Sequence, residues 1–284
     1  MQQNLIPCSL ESHGDGFVDS ELAKIDSVKP EVTVELLKKI HSCIDHTTLN
    51  TTDTYASVKK FVEGVNDHTA NYPDIPNVAG ICVYPKFIRT VIDTLTVPGV
   101  EVVTVAGSFP HSLTFIDLKV HEVSMSAMAG ADEIDVVINV GDIIAKDYQS
   151  AYDELHAMRQ ACGGAKMKVI LETGLYTTDE EIYNASMAAC PNTDFLKTST
   201  GKVSVGATQR AAYLMALAAK DYEKVSGRRV GIKIAGGVRT TEDALQYVSV
   251  MDYMYGRDGY DNTNFRIGAS SLTKNVMADI KKFL

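Results

Sequence analysis

Three lysines, Lys168, Lys197 and Lys233, sit in short apolar runs, "MKVIL", "FLKTS" and "GIKIA". An isolated lysine at a strand end is ordinarily a surface charge, but three flanked in this way should turn into the protein interior. Like charges held close in a poorly solvated pocket favour the neutral amine. A neutral lysine attacks carbonyl carbon and forms a Schiff base, an electron sink for making or breaking a C–C bond. One lysine would then be the nucleophile, and a second cation would lower its pKa. Asp135, in "GADEIDVVIN", has two readings. It either pairs with a buried lysine, or relays a proton from a substrate hydroxyl, directly or through water, as the neighbouring C–C bond breaks.

A second group of residues suits an anion. "DFLKTSTGKVSVGAT" (194–208) carries Lys202 just beyond Lys197, "AGGVRT" (235–240) opens one helix and "IGASSL" (267–272) opens another. Backbone N–H groups at helix N-termini bind phosphate, and glycine lets the ligand approach the chain closely. The candidate contacts are Gly201, Lys202, Gly236, Gly237, Val238, Arg239, Gly268, Ser270 and Ser271, with Asp45 and Lys168 as further substrate contacts. Taken singly, either glycine loop could be only a tight turn. Lys197 would face the reacting carbon and Lys202 the phosphate.

Elements that bring these residues together can be read from periodicity. Eight short runs recur at near-regular intervals: 43–47, 78–84, 100–107, 132–139, 167–173, 194–200, 230–236 and 265–270. Between them lie segments with apolar residues every three or four positions, such as 113–129, with Leu113, Ile116, Val120, Val123 and Ala127 on one face, and 205–225. Eight alternating units predict a single (β/α)8 barrel, an α/β fold whose chemistry sits where strands run into loops at the C-terminal face. Residues 41–284 would form this barrel. Residues 1–40 would be an extension, with a helix over 27–40 lying across one barrel end and the first twenty residues loosely held.

Composition narrows the function. The chain has 284 residues, 45% hydrophobic and 22% charged, with a formal charge of −9. That balance suits a large core and argues against a nucleic-acid surface, which needs a basic stripe. The longest apolar helical run, "AAYLMALAA" (211–219), is too short to span a bilayer, and the N-terminus lacks a secretory pattern, so a cytoplasmic protein is expected. Five cysteines without a CxxC pair predict reduced buried thiols; Cys82, near the expected mouth, reads as filler or as a thiol open to aldehyde attack. No HxH, HExxH, GxxxxGK[ST] or N-terminal GxGxxG pattern occurs, so neither a metal nor a cofactor is expected.

The segments "IDHTTLN", "GADEIDVV", "KVILETG", "FLKTSTGKV", "GIKIAGGVRTTEDA" and "FRIGASSL" follow one another in the order found in 2-deoxyribose-5-phosphate aldolases, which the chain resembles from about residue 40 to 275. The resemblance implies a class I, metal-independent lyase on a (β/α)8 barrel. Such an enzyme reversibly cleaves 2-deoxyribose 5-phosphate to acetaldehyde and glyceraldehyde 3-phosphate, and works as a homodimer. It further implies Lys197 as the Schiff-base lysine, Lys233 as its pKa-lowering partner, Asp135 as the proton relay, and Asp45 either near the substrate hydroxyls or holding the lysine network. Some relatives end in a tail whose tyrosine reaches the active site. This sequence ends "KKFL", so proton transfer at the methyl carbon is expected to use water. Two other readings stay open on the residues: another Schiff-base barrel of transaldolase type, and a phosphate-binding barrel without catalysis.

Overall fold

A computed structural model describes residues 6–283; Met1 to Leu5 and the final Leu284, to which parts of the expected extension and barrel were assigned, lie outside the described residues. Eight parallel strands close a barrel in chain order. They are β1 (Ile44–Thr47), β2 (Gly80–Val83), β3 (Glu101–Ala106), β4 (Glu133–Val137), β5 (Lys166–Ile170), β6 (Phe195–Lys197), β7 (Gly231–Ala235) and β8 (Phe265–Ala269). Each expected run contains one of them, except that β5 begins one residue early, at Lys166. The strands are buried on both faces, so period-two alternation sends Ile134 and Val136 toward the helices and Glu133 and Asp135 into the barrel.

Around the barrel run α1 (Phe17–Ser27), α2 (Val34–Ser42), α3 (Tyr55–Asn71), α4 (Ile88–Thr94), α5 (Ile116–Met128), α6 (Val140–Ile144), α7 (Tyr148–Ala161), α8 (Asp179–Ala189), α9 (Gln209–Ser226), α10 (Thr241–Tyr255) and α11 (Leu272–Ile280). Threonines start many of them. Thr54, Thr178 and Thr240 form reciprocal capping boxes with Ser57, Glu181 and Asp243, and Thr208 accepts from the Ala211 N–H. Two helices are shorter than expected, and the Thr208 cap accounts for one of them. α9 starts after Thr208, leaving Val205 outside it and exposed, and α5 starts at Ile116, leaving Leu113 77% exposed instead of on its buried face.

The extension differs from expectation in two ways. The helix expected over 27–40 is broken: α1 ends at Ser27, residues 28–33 are not helical, and α2 begins at Val34 after the Thr33 cap. Pro30 disfavours helical backbone at Lys29, which accounts for the gap. α2 does sit at the N-terminal end of the barrel, where His41 Nδ1 meets the Pro76 carbonyl at 2.8 Å. α1 instead packs on the outer faces of α9 and α10. Among the described residues, the stretch from His13 to Glu21 is also tied down. His13 Nε2 lies 3.0 Å from Asp221, Arg210 donates to Asp19 at 2.6 Å, and the Tyr253 hydroxyl donates to Glu21 at 2.6 Å.

Inside the barrel, glycine at strand positions leaves room for long side chains from neighbouring strands. A Cβ on Gly231 would fall 2.6 Å from the Phe195 ring and 3.0 Å from the Asn264 carbonyl, and one on Gly80 would fall 2.7 Å from Val103. Gly231→Ala is therefore expected to lower stability by about 1–3 kcal/mol through overpacking. The readout is a lower urea midpoint with an unchanged slope; an unmoved midpoint would show that the Phe195 ring shifts freely.

Candidate active site

Register decides which charges meet. Asp135 on β4 lies beside Lys168 on β5, Lys197 on β6 beside Lys233 on β7, and Lys233 beside Arg266 on β8. Seven charged side chains fill the barrel: Asp45, Glu133, Asp135, Lys168, Lys197, Lys233 and Arg266, none more than 3% exposed. Asp135 is the hub. It accepts from Lys168 Nζ at 3.0 Å, Lys197 Nζ at 2.7 Å and Lys233 Nζ at 2.8 Å. Lys233 also donates to Asp45 at 2.5 Å, Lys168 pairs with Glu133 at 2.5 Å, and Arg266 spans Asp45 at 2.6 Å and Glu133 at 3.0 Å. The Phe195 ring lies against the lower part, with the Arg266 guanidinium 5.7 Å and Lys168 Nζ 6.0 Å from its centroid.

Four cations face three carboxylates, so the enclosed network carries one positive charge too many if every group is ionised. Electrostatics divides the lysines unequally. Burial lowers Lys197 first, and Lys233 lowers it further; the pull of Asp135 offsets only part, leaving Lys197 below the ordinary lysine value. Burial works against Lys233 too, but Asp135 and Asp45 overrule it and hold Lys233 charged. Asp135 and Glu133 do the same for Lys168. Burial alone would raise the Asp135 carboxyl, yet Lys168, Lys197 and Lys233 together keep it well below the carboxylate range. One lysine with a lowered pKa is thus set apart from two with raised ones, the kind of separation found where titratable groups divide a task.

Above this layer opens a cleft of about 220 Å³. Its walls include the expected Lys197, Gly201, Lys202, Gly236, Gly237, Val238, Arg239, Gly268 and Ser270. Gly236 and Gly237 both have φ of 90°, a conformation that side chains resist. The two helices that open at this end are not equivalent. The Asp243 carboxylate takes the N–H groups of Arg239 and Thr240 at the start of α10, whereas Ser271 caps α11 without a side-chain bond, which leaves the first N–H groups of α11 for a ligand. Lys202 Nζ reaches the Leu49 carbonyl at 2.5 Å across the mouth.

Some expected positions differ. Lys168 and Asp45 do not face the cleft as substrate contacts: both are fully buried beneath it, because inward-facing side chains on β1 and β5 meet opposite charges lower in the barrel. Asp45 thus fits the network-holding role. Lys233 and Asp135 also lie below the floor, and Lys197 alone of the three lysines reaches the opening. Ser271 is exposed and is not among the residues lining the cleft, while Gly268 has a second task, since a Cβ there would approach Lys233 Cε to 3.1 Å. Cys82 is 1% exposed, and burial raises its thiol pKa. With Leu49, Val103 and Val105 it forms an apolar wall inside the barrel.

Residues not singled out from sequence complete the site. Glu133 and Arg266 belong to the network; Glu133 stands two before Asp135 on one strand, so period-two alternation could have placed it on the same face. Thr47, Leu49, Asn50 and Thr200 line the cleft. Thr200 is also held from outside, by the buried Glu172.

Residues 40–271 match the DeoC/LacD family aldolase. The deoxyribose-phosphate aldolase of Bos taurus is 35% identical over 271 residues, 90% of this chain and 82% of its own. That of Homo sapiens is 34% identical over 270 residues, 89% and 83% respectively. Among solved structures, the tetrameric deoxyribose phosphate aldolase of Aeropyrum pernix shares the fold with a TM-score of 0.67 at 23% identity, covering 94% of this chain and 98% of its own.

The depressed carboxylates tie stability to pH. A carboxyl whose folded pKa lies below its unfolded value contributes stability above the unfolded value, about 4, that disappears as pH falls toward the folded one. Asp135, Asp45 and Glu133 all shift this way. The urea midpoint should therefore drop between pH 5 and pH 3. Asp45→Asn should cost about 3–5 kcal/mol at pH 7, by taking one of the two carboxylate partners from both Lys233 and Arg266, and flatten the acid drop. An acid drop as steep as in the unaltered protein would place its origin elsewhere.

Proposed function

The chain belongs to the DeoC/LacD family of aldolases, and from that premise we propose that Lys197 is the Schiff-base lysine, Lys233 the cation that keeps it unprotonated, and Asp135 the carboxylate that manages its proton. The reaction is the reversible aldol cleavage of 2-deoxy-D-ribose 5-phosphate to acetaldehyde and D-glyceraldehyde 3-phosphate, a lyase reaction through a lysine Schiff base. One observation carries the residue assignment: of the three lysines inside the barrel, Lys197 is both the one that reaches the cleft and the one whose pKa falls.

The geometry orders the steps. The Lys197 amine adds to the C1 aldehyde, and the adduct takes up one proton from solvent as it loses water, giving a cationic imine. Its nitrogen draws in the C2–C3 electron pair while the 3-hydroxyl gives up its proton, so C3 departs as an aldehyde. The resulting enamine is protonated at C2, and water hydrolyses the imine to free acetaldehyde and the amine. Asp135, anionic and 2.7 Å below Nζ, is too weak a base to reach for a hydroxyl proton outright. It steadies the positive nitrogen, and protons pass between it and the cleft through Nζ or water. The C5 phosphate lies at the far end, against Gly236, Gly237, Lys202, Arg239 and the N-terminus of α11, with Gly201, Val238, Gly268 and Ser270 around it.

Homodimer formation belongs to the same reading. The solvent side of α5 exposes Leu118, Met125 and Met128 by more than half, with Phe115 just before it. An antiparallel second copy would set Leu118 against Met125 and Phe115 against Met128, the self-complementary pattern of a twofold contact. Met125→Lys should then shift the protein toward monomer in light scattering, and an unchanged mass would reject this face. A cytoplasmic location is proposed on five free thiols, as in reducing compartments; no described helix is long and apolar enough to cross a membrane.

Borohydride added with 2-deoxyribose 5-phosphate should fix a reduced adduct on Lys197, located by peptide mass spectrometry and lost in Lys197→Ala. An adduct on Lys168 or Lys233 instead would overturn the assignment.

A further inference from the structure

Glu172 stands outside the cleft, yet it is the one acidic residue among the described residues held in the left-handed region, at φ 57° and ψ 52°. A non-glycine residue there costs on the order of 1–3 kcal/mol, and such strain persists only where the surroundings impose it. Its carboxylate is buried, at 2% exposure, and both oxygens are taken by one residue of the next loop. The Thr200 N–H donates to Oε1 at 3.0 Å and the Thr200 hydroxyl donates to Oε2. The Thr200 oxygen in turn accepts from the Lys202 N–H at 3.0 Å.

Backbone on either side of Glu172 is fixed to the strand that carries Lys197. The Leu171 N–H donates to the Lys197 carbonyl at 2.8 Å, and the Thr173 N–H to the Thr198 carbonyl at 2.9 Å. The turn at Glu172 lets both bonds form while its side chain reaches past Thr198 to Thr200. Farther along the loop, the Ala207 N–H donates to the Gly236 carbonyl at 2.9 Å, and a Cβ on Gly206 would strike that carbonyl at 2.4 Å. The loop from Thr200 to Ala207 is thus clamped at one end by Glu172 and at the other by Gly236, just after β7.

We infer that Glu172 is a positioning residue for the phosphate end of the substrate: its strained backbone and buried carboxylate set where Gly201 and Lys202 stand relative to Lys197. The inference rests on the aldolase reading for the identity of the substrate, but not for the phosphate contact itself. Glu172→Gly is the informative change, because glycine accepts the left-handed backbone and removes only the carboxylate. Glu172→Gln keeps an acceptor for the Thr200 N–H and serves as the conservative variant.

Binding of inorganic phosphate by calorimetry and steady-state kinetics with 2-deoxyribose 5-phosphate and with unphosphorylated 2-deoxyribose test it. Glu172→Gly should raise the phosphate Kd and the KM for the phosphorylated sugar by about tenfold, with kcat changed by less than about threefold. The loss in kcat/KM should be about tenfold greater for the phosphorylated sugar, and Glu172→Gln should recover most of it. Unchanged phosphate affinity in Glu172→Gly, or equal losses on the two sugars, would overturn the inference. Borohydride trapping of acetaldehyde on the unaltered protein reports separately on the aldolase reading. Its failure beside a tenfold phosphate effect would sink that reading and leave the positioning role standing.

Discussion

Everything in this barrel answers to one electrostatic problem: seven ionisable side chains are packed into its interior, buried from bulk solvent. Buried charge is tolerated only when each group is paired and hydrogen-bonded, since desolvation otherwise outweighs attraction. Asp135 meets that demand with three lysine donors, and Asp45 and Glu133 with Arg266 and the remaining lysines. The pairing is nearly complete but leaves one surplus cation. Lys197, placed at the edge of the cleft, is the member whose pKa falls, and the proposed reactivity toward carbonyl carbon rests on that imbalance together with its place at the opening.

A closed parallel barrel suits the task because its strands offer adjacent inward positions at fixed register, and its backbone groups are already bonded to one another. Space for long side chains comes from residues that have almost none. Gly231 yields to the Phe195 ring, Gly80 to Val103 and Asp45, and Gly268 to the Lys233 stem. In the proposed function the substrate's two ends are served by different means. Side-chain charge prepares the carbonyl end, while the phosphate end is shaped by backbone: two glycines at φ 90°, an open helix start and a loop clamped from both sides.

Much of this was legible before any coordinates. Eight alternating runs specify the barrel because strands buried on both faces must be apolar where they are not functional, so a lysine inside one stands out. The same logic reached Lys197, Lys233, Asp135 and the glycine loops. It misplaced Lys168 and Asp45 because a sequence shows which face a strand residue takes but not its height in the barrel, which depends on strand stagger. Glu133 and Arg266 escaped notice as ordinary charges. Glu172 carried no signal at all, since left-handed backbone at a glutamate has no sequence mark. The tie between the N-terminal segment and α9 was equally hidden, resting on Asp221 and Arg210 far along the chain.

Asp135's three-way bonding also constrains how such a sequence can drift. Any change at Lys168, Lys197 or Lys233 alters the proton affinity of the other two through the shared carboxylate, so substitutions there will not act additively, and a tolerated change must arrive with a compensating one. The loops above obey no such rule. Gly201, Lys202 and Arg239 sit apart from the enclosed charges, and each can vary singly without disturbing the amine. Innovation in this barrel should therefore be lopsided, with new tails on the substrate accessible one mutation at a time and the bond-breaking end locked.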